Sequence, residues 1–169
     1  MNRNLNRCLI LACGNTLRGD DGVGPWLADW ARNRFRSEPG VRVLSSQQWT
    51  PELAEEIAHA RSVLFVDCSI DSIPGSVRLL PVKPAAGSAP GLATHHQGAP
   101  ELLALSRELY DTLPQDAFLL TIGAGSMELG EAFSDPVKAA FPEARRLLEA
   151  TVARLLGGVQ PSEPPFRAE

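Results

Sequence analysis

The sequence contains no apolar stretch long enough to form a membrane-spanning helix and no run of basic residues. The first absence argues against an integral helical membrane protein. The second, with a formal net charge of −4 at pH 7, argues against a nucleic-acid footprint. Cysteine is scarce. The three cysteines, Cys8, Cys13 and Cys68, show no C-x-x-C spacing, and each lies in or beside an apolar run. They read as buried thiols of a cytosolic protein, not as disulfides or zinc ligands. Met1 to Arg7 leads straight into a short apolar run without the longer apolar region and small-residue cleavage site of a secretory signal, so a cytoplasmic location is expected. A G-x-S-x-G elbow, the Lys-Ser/Thr pair of a P-loop and a G-x-G-x-x-G fingerprint are also missing, which removes the usual marks of serine hydrolases and nucleotide-binding turns.

What remains is a chain of 169 residues, 44% hydrophobic, with room for one proper core. Its centre is Gly14-Asn15-Thr16-Leu17-Arg18-Gly19-Asp20-Asp21-Gly22-Val23-Gly24. Before it, Cys8 to Cys13 has the length of a buried strand. After it, Val23, Trp26, Leu27, Trp30 and Ala31 recur at helical spacing, with Pro25 in the first turn. The stretch is therefore a strand-to-helix turn, at the sheet edge where open α/β proteins place their crevices. Such a turn commonly invites a phosphate, but Asp20 and Asp21 would oppose one. A cation, or a polar group held by carboxylates, suits the turn better. One aspartate is expected to cap the helix, and one to point into a functional crevice.

Further strands are expected at 41–44, 62–67, 76–82 and 118–122. The strand at 76–82 follows 62–67 too closely for an intervening helix, which makes it an antiparallel edge partner of that strand, and Pro81 suits an edge. Helices are expected from Thr50-Pro51-Glu52 to about Arg61, from 98 to Pro114 with Leu102, Leu103, Ser106, Leu109 and Tyr110 on one face, and from Ser134 onward with an interruption at Pro142. Residues 83–94, rich in Pro, Ala, Gly and Ser, read as a mobile loop, and 158–169 as a disordered tail. No repeat or second domain is visible, leaving a single α/β domain over 1–157. The expected architecture is a three-layer α/β sandwich: a mostly parallel five-stranded sheet with one antiparallel edge strand and helices on both faces.

The strand at 62–67 ends in Asp67, on the same sheet edge as the 14–24 turn. His95 and His96 stand between the expected loop and the next helix. His59 instead reads as an exposed or helix-end residue. Asn15, Asp20, Asp21, Asp67, His95 and His96 thus share one expected crevice. Carboxylates plus an imidazole suit a metal that takes nitrogen and oxygen donors, or the positioning of water and movement of protons at an amide.

The turn matches the G-N-x-L-x-x-D-[DE]-G-x-G pattern, and on it the chain resembles the nickel–iron hydrogenase maturation endopeptidases. The likeness continues through Asp67 at a strand end and Thr94-His95-His96 before a Leu-rich helix, to about residue 156. The resemblance implies a phosphorylase/hydrolase-like fold and a peptidase that removes the C-terminal extension of a hydrogenase large-subunit precursor once nickel is loaded. It implies recognition of that nickel by Asp21, Asp67 and His95, which are also the expected catalytic groups, with Asn15, Asp20 and His96 contacting substrate. The nickel would arrive with the precursor, and no tightly bound cofactor of the enzyme's own is expected. Nucleic acid and membrane are not expected partners. Two other readings stand beside it: a non-catalytic nickel-binding assembly module, and a peptidyl-tRNA hydrolase-like enzyme, which the acidic charge and the aspartate pair oppose.

Overall fold

The structure, a computed structural model, describes residues 6–86 and 98–157. His95, His96, most of the expected 83–94 loop and the expected 158–169 tail lie outside the described residues.

Five strands form one sheet: β1 (Asn6–Cys13), β2 (Val41–Ser46), β3 (Ala60–Ser69), β4 (Val77–Pro81) and β5 (Asp116–Gly123). Their spatial order is β2-β1-β3-β5-β4, with every neighbouring pair parallel except β4–β5. The helices are α1 (Val23–Arg34), α2 (Leu53–Ala58), α3 (Ala99–Tyr110) and α4 (Asp135–Gly157). Side chains of a strand alternate between faces, and β1 shows where each set goes. Cys8, Ile10 and Ala12 join Leu27, Ala28 and Ala31 of α1 and Ala144, Leu148 and Val152 of α4. Leu9 and Leu11 join Ile57 of α2 and Leu102 and Leu103 of α3. Because both faces are covered, all of Cys8 to Ala12 is wholly buried, as is Val63 to Val66 in β3. Central strands of this kind read as continuous apolar runs. The three-layer α/β sandwich expected from the sequence is what the chain forms.

Four local expectations are corrected. The edge strand β4 pairs antiparallel with β5, not with β3. β5 is inserted between them, and the 70–76 connection spans the width of one extra strand. Two backbone bonds, Gly75 N–H to Gly123 O and Gly123 N–H to Ser76 O, fasten that connection to the end of β5. Second, α2 is shorter at both ends: Thr50 to Glu52 forms a turn, and Ala60 already belongs to β3, opposite Asn6. Third, Leu109 and Tyr110, in the last turn of α3, are exposed, while Leu102, Leu103 and Ser106 are buried. Fourth, α4 runs through Pro142 without a break.

Proline removes one helical hydrogen bond and crowds the preceding turn. Here it lies on the exposed side, where water can reach the Lys138 carbonyl left without a partner. Buried Val137, Ala140 and Ala144 flank it, and Phe141 stacks on Trp26 of α1 at 3.9 Å between centroids. Packing on both sides thus outweighs the local defect. Pro142→Ala is expected to raise stability by about 1–3 kcal/mol, read as a higher urea midpoint with an unchanged slope. No helix among the described residues is long and apolar enough to cross a membrane.

Candidate functional site

The chain leaves β1 toward β2 on one side and leaves β3 toward β5 and β4 on the other. The carboxyl ends of β1 and β3 therefore flank the topological switch point, where an open α/β sheet leaves a crevice. Both parts of the sequence-predicted carboxylate pair come from these two ends.

The glycine–aspartate turn leaves β1 at Gly14, whose φ of +152° and close approach to the Asp21 carbonyl leave no room for a side chain. Asn15 then folds the chain back. Its side-chain oxygen accepts from the Leu17 N–H at 2.9 Å, and its carbonyl accepts from the Arg18 N–H at 3.1 Å. The turn closes as a single 3₁₀ segment, Gly19–Gly22, running into α1. Neither aspartate caps α1: its N-cap is Gly22, with no side-chain cap bond. Pro25 occupies the first turn, where no N–H is required.

The two aspartates instead point different ways. Asp20 is wholly buried. Its Oδ2 accepts from the Gly125 N–H at 2.7 Å, the Ser126 N–H at 2.8 Å and the Ser134 hydroxyl at 2.6 Å, and its Oδ1 accepts from the Ser134 N–H at 2.8 Å. Burial opposes ionisation there, but the bonds from Ser134, Ser126 and Gly125 outweigh it and hold the carboxyl below its usual range. The sequence places Asp20 among substrate-contacting groups; the fold places it in the scaffold, with its oxygens already occupied. Asp21 is partly exposed, and its Oδ2 accepts from the Asn15 N–H at 2.8 Å.

Asp67 lies near the end of β3, opposite Thr121 of β5, and is half-buried. Its Oδ1 accepts from the Cys68 N–H at 2.8 Å. Burial raises its carboxyl from an ordinary 3.8 to about 6; the charge of Asp21 adds to the rise, while the Cys68 N–H and the Trp49 side chain oppose it. Asp21 and Asp67 are thus close enough to repel, and both also raise the thiols of Cys13 and Cys68. Burial is the larger cause for each thiol, taking it to about 12. Neutral thiols of this kind are poor nucleophiles. A carboxyl titrating near neutrality is suited to accept a proton from water, and a pair of carboxylates at a crevice is suited to a cation.

Among the described residues, no group of three or more His, Cys, Asp or Glu side chains is placed to hold a metal ion. The third expected ligand, His95, and its neighbour His96 lie outside the described residues. His59, as expected, sits at the end of α2, its Nδ1 2.8 Å from the Glu55 carbonyl oxygen. Sequence reasoning missed Trp49 and Ser134. Trp49 was findable: it follows β2, so it emerges at the same sheet edge. Nothing local marks Ser134, which meets Asp20 across 114 positions.

No family model matches the sequence, and no curated protein sequence matches it. Solved structures do. The hydrogenase maturating endopeptidase HybD from E. coli superposes with a TM-score of 0.68 at 21% identity, covering 91% of this chain and 95% of that one. A [NiFe] hydrogenase maturation protease HycI from Thermococcus kodakarensis gives 0.63 at 25% identity, with 90% and 94% covered. The HybD protease of the same organism gives 0.61 at 26% identity, with 86% and 98% covered. The resemblance first read from the glycine–aspartate turn therefore extends over nearly the whole chain, and the protein is a structural relative of the hydrogenase maturation endopeptidases.

Proposed function

We propose that this chain is an endopeptidase that removes the C-terminal extension of a nickel-loaded hydrogenase large-subunit precursor in the cytoplasm. What supports the reading is that Asp21, on the turn after β1, and Asp67, near the end of the neighbouring parallel strand β3, belong to the switch point of a fold whose named relatives are hydrogenase maturation proteases. In this reading the nickel is part of the substrate. Asp21, Asp67 and His95 complete its coordination, which holds the adjoining peptide beside the carboxylates. Oxygen and nitrogen donors of this kind suit a divalent first-row metal. Water activated by a carboxylate or by the substrate's metal then attacks the scissile carbonyl, and fixed geometry supplies much of the rate. A precursor without nickel lacks the group the carboxylates hold, and is passed over.

The surroundings support a folded protein as substrate. Leu17, Ile70, Ile73 and Leu129 are 55%, 71%, 79% and 88% exposed. They sit in the connections after β1, β3 and β5, all at the crevice edge. Large exposed apolar side chains gathered at one edge suit a protein surface better than a small polar ligand. The test is mass spectrometry of nickel-loaded and nickel-free precursor after incubation with the purified chain. Loss of the C-terminal peptide from the loaded precursor alone is expected. Stoichiometric binding with no change in mass would instead identify an assembly module.

A further inference from the structure

Asp20 has no exposure, and the candidate chemistry does not use it, yet its carboxylate accepts four hydrogen bonds of 2.6–2.8 Å. All four come from the 125–134 connection between β5 and α4. Three backbone bonds run beside them: Gly19 N–H to Gly130 O, Asp20 N–H to Ser126 O, and Gly130 N–H to Leu17 O. The turn and that connection therefore form one unit, and Asp20 is its only side-chain rivet from the turn among the described residues.

Successive side chains of a 3₁₀ segment diverge by about 120°, since it has three residues per turn. With Asp20 fixed through both oxygens, the segment cannot roll about its own axis, and the direction of Asp21 is fixed with it. That direction is marked by the bond from the Asn15 N–H to Asp21 Oδ2. We infer that Asp20 is a positioning residue: its buried clamp on the β5–α4 connection aims Asp21 at the crevice. Its importance to catalysis rests on the peptidase reading above; the aiming itself does not.

An amide at position 20 cannot replace the clamp. One of its two heavy atoms becomes a donor, and donors face it at both positions. Set at Oδ1 it opposes the Ser134 N–H, and set at Oδ2 it opposes the two backbone N–H groups of Gly125 and Ser126. A buried donor facing a donor loses its bond and stays desolvated.

The test uses the full chain and no precursor, so failure of the peptidase reading would show separately, as absence of cleavage. Nuclear magnetic resonance follows the Asn15 amide, whose shift and exchange protection report its bond to Asp21. Asp21→Asn defines the signal when that bond is weakened. Val152→Ala, a loss of buried volume far along α4, controls for general destabilisation. Asp20→Asn is expected to shift the Asn15 amide in the same direction as Asp21→Asn and to speed its exchange at least about tenfold beyond the control. Ser134→Ala, which removes one of the four bonds, is expected to give a smaller change in the same direction, and it decides the matter should Asp20→Asn fail to fold. An Asn15 amide unchanged relative to the control, in whichever of these variants folds, overturns the inference.

Discussion

Asp67→Asn is expected to slow cleavage of nickel-loaded precursor about a hundredfold or more, and at the same time to stabilise the protein at neutral pH. The second half follows from the environment of the carboxyl. Burial first, and Asp21 second, raise it from 3.8 to about 6. The native state thus binds this proton more tightly than the unfolded chain does. Stability contributed by the group is present below about pH 4, declines as pH rises toward 6, and is gone above that. At pH 7.5 the charged form is held at a cost bounded on the order of 3 kcal/mol. An amide lacks that charge but accepts less strongly from the Cys68 N–H, so a net gain of about 1–2 kcal/mol is expected. The gain should shrink toward zero near pH 4. Denaturant titrations of both proteins across this range check it. Lower stability of Asp67→Asn at pH 7.5 would mean that the carboxylate is held for the fold and not for chemistry. A group that is costly to keep and required for turnover is the pattern expected of a functional site.

Gly14→Ala is expected to destabilise the protein by about 4 kcal/mol or more and to abolish cleavage. A β-carbon at this position would lie 1.9 Å from the Asp21 carbonyl oxygen and 3.2 Å from Pro25 Cδ. The φ of +152° adds conformational strain. The obstacle is backbone, so no side-chain rotation relieves it. Gly130→Ala is the matched comparison: φ is +132°, but nothing lies within 4 Å of the added carbon. Only the backbone penalty remains there, about 1–2 kcal/mol. Urea midpoints for the two variants should therefore separate widely. Equal midpoints would show that the turn relaxes freely and does not fix Asp21.

The sheet was legible because its central strands are covered on both faces. Cys8 to Ala12 and Val63 to Val66 spell that burial as unbroken apolar runs, and turn chemistry marks their ends. The placing of Asp21 and Asp67 at one edge was legible for the same reason, since parallel strands end on the same side. What local pattern does not carry are choices made between distant segments. The insertion of β5 between β3 and β4 is fastened by bonds at Gly123, the final residue of the last strand. The continuity of α4 through Pro142 depends on Trp26, in another helix. The sequence suggests that one of Asp20 and Asp21 serves the structure and the other the crevice, but not the form of the structural role: only the return of the chain at 125–134 makes Asp20 a clamp in place of a helix cap.

The central claim is that a metal carried by the client is gripped by this chain's own side chains. Nickel K-edge absorption of the loaded precursor, recorded before and after mixing with the protein, tests it most directly. The account predicts added oxygen and nitrogen neighbours at the nickel on mixing with the parent, reduced in Asp21→Asn, Asp67→Asn and His95→Ala. A nickel environment unchanged by the parent protein while the precursor is still cut would contradict it.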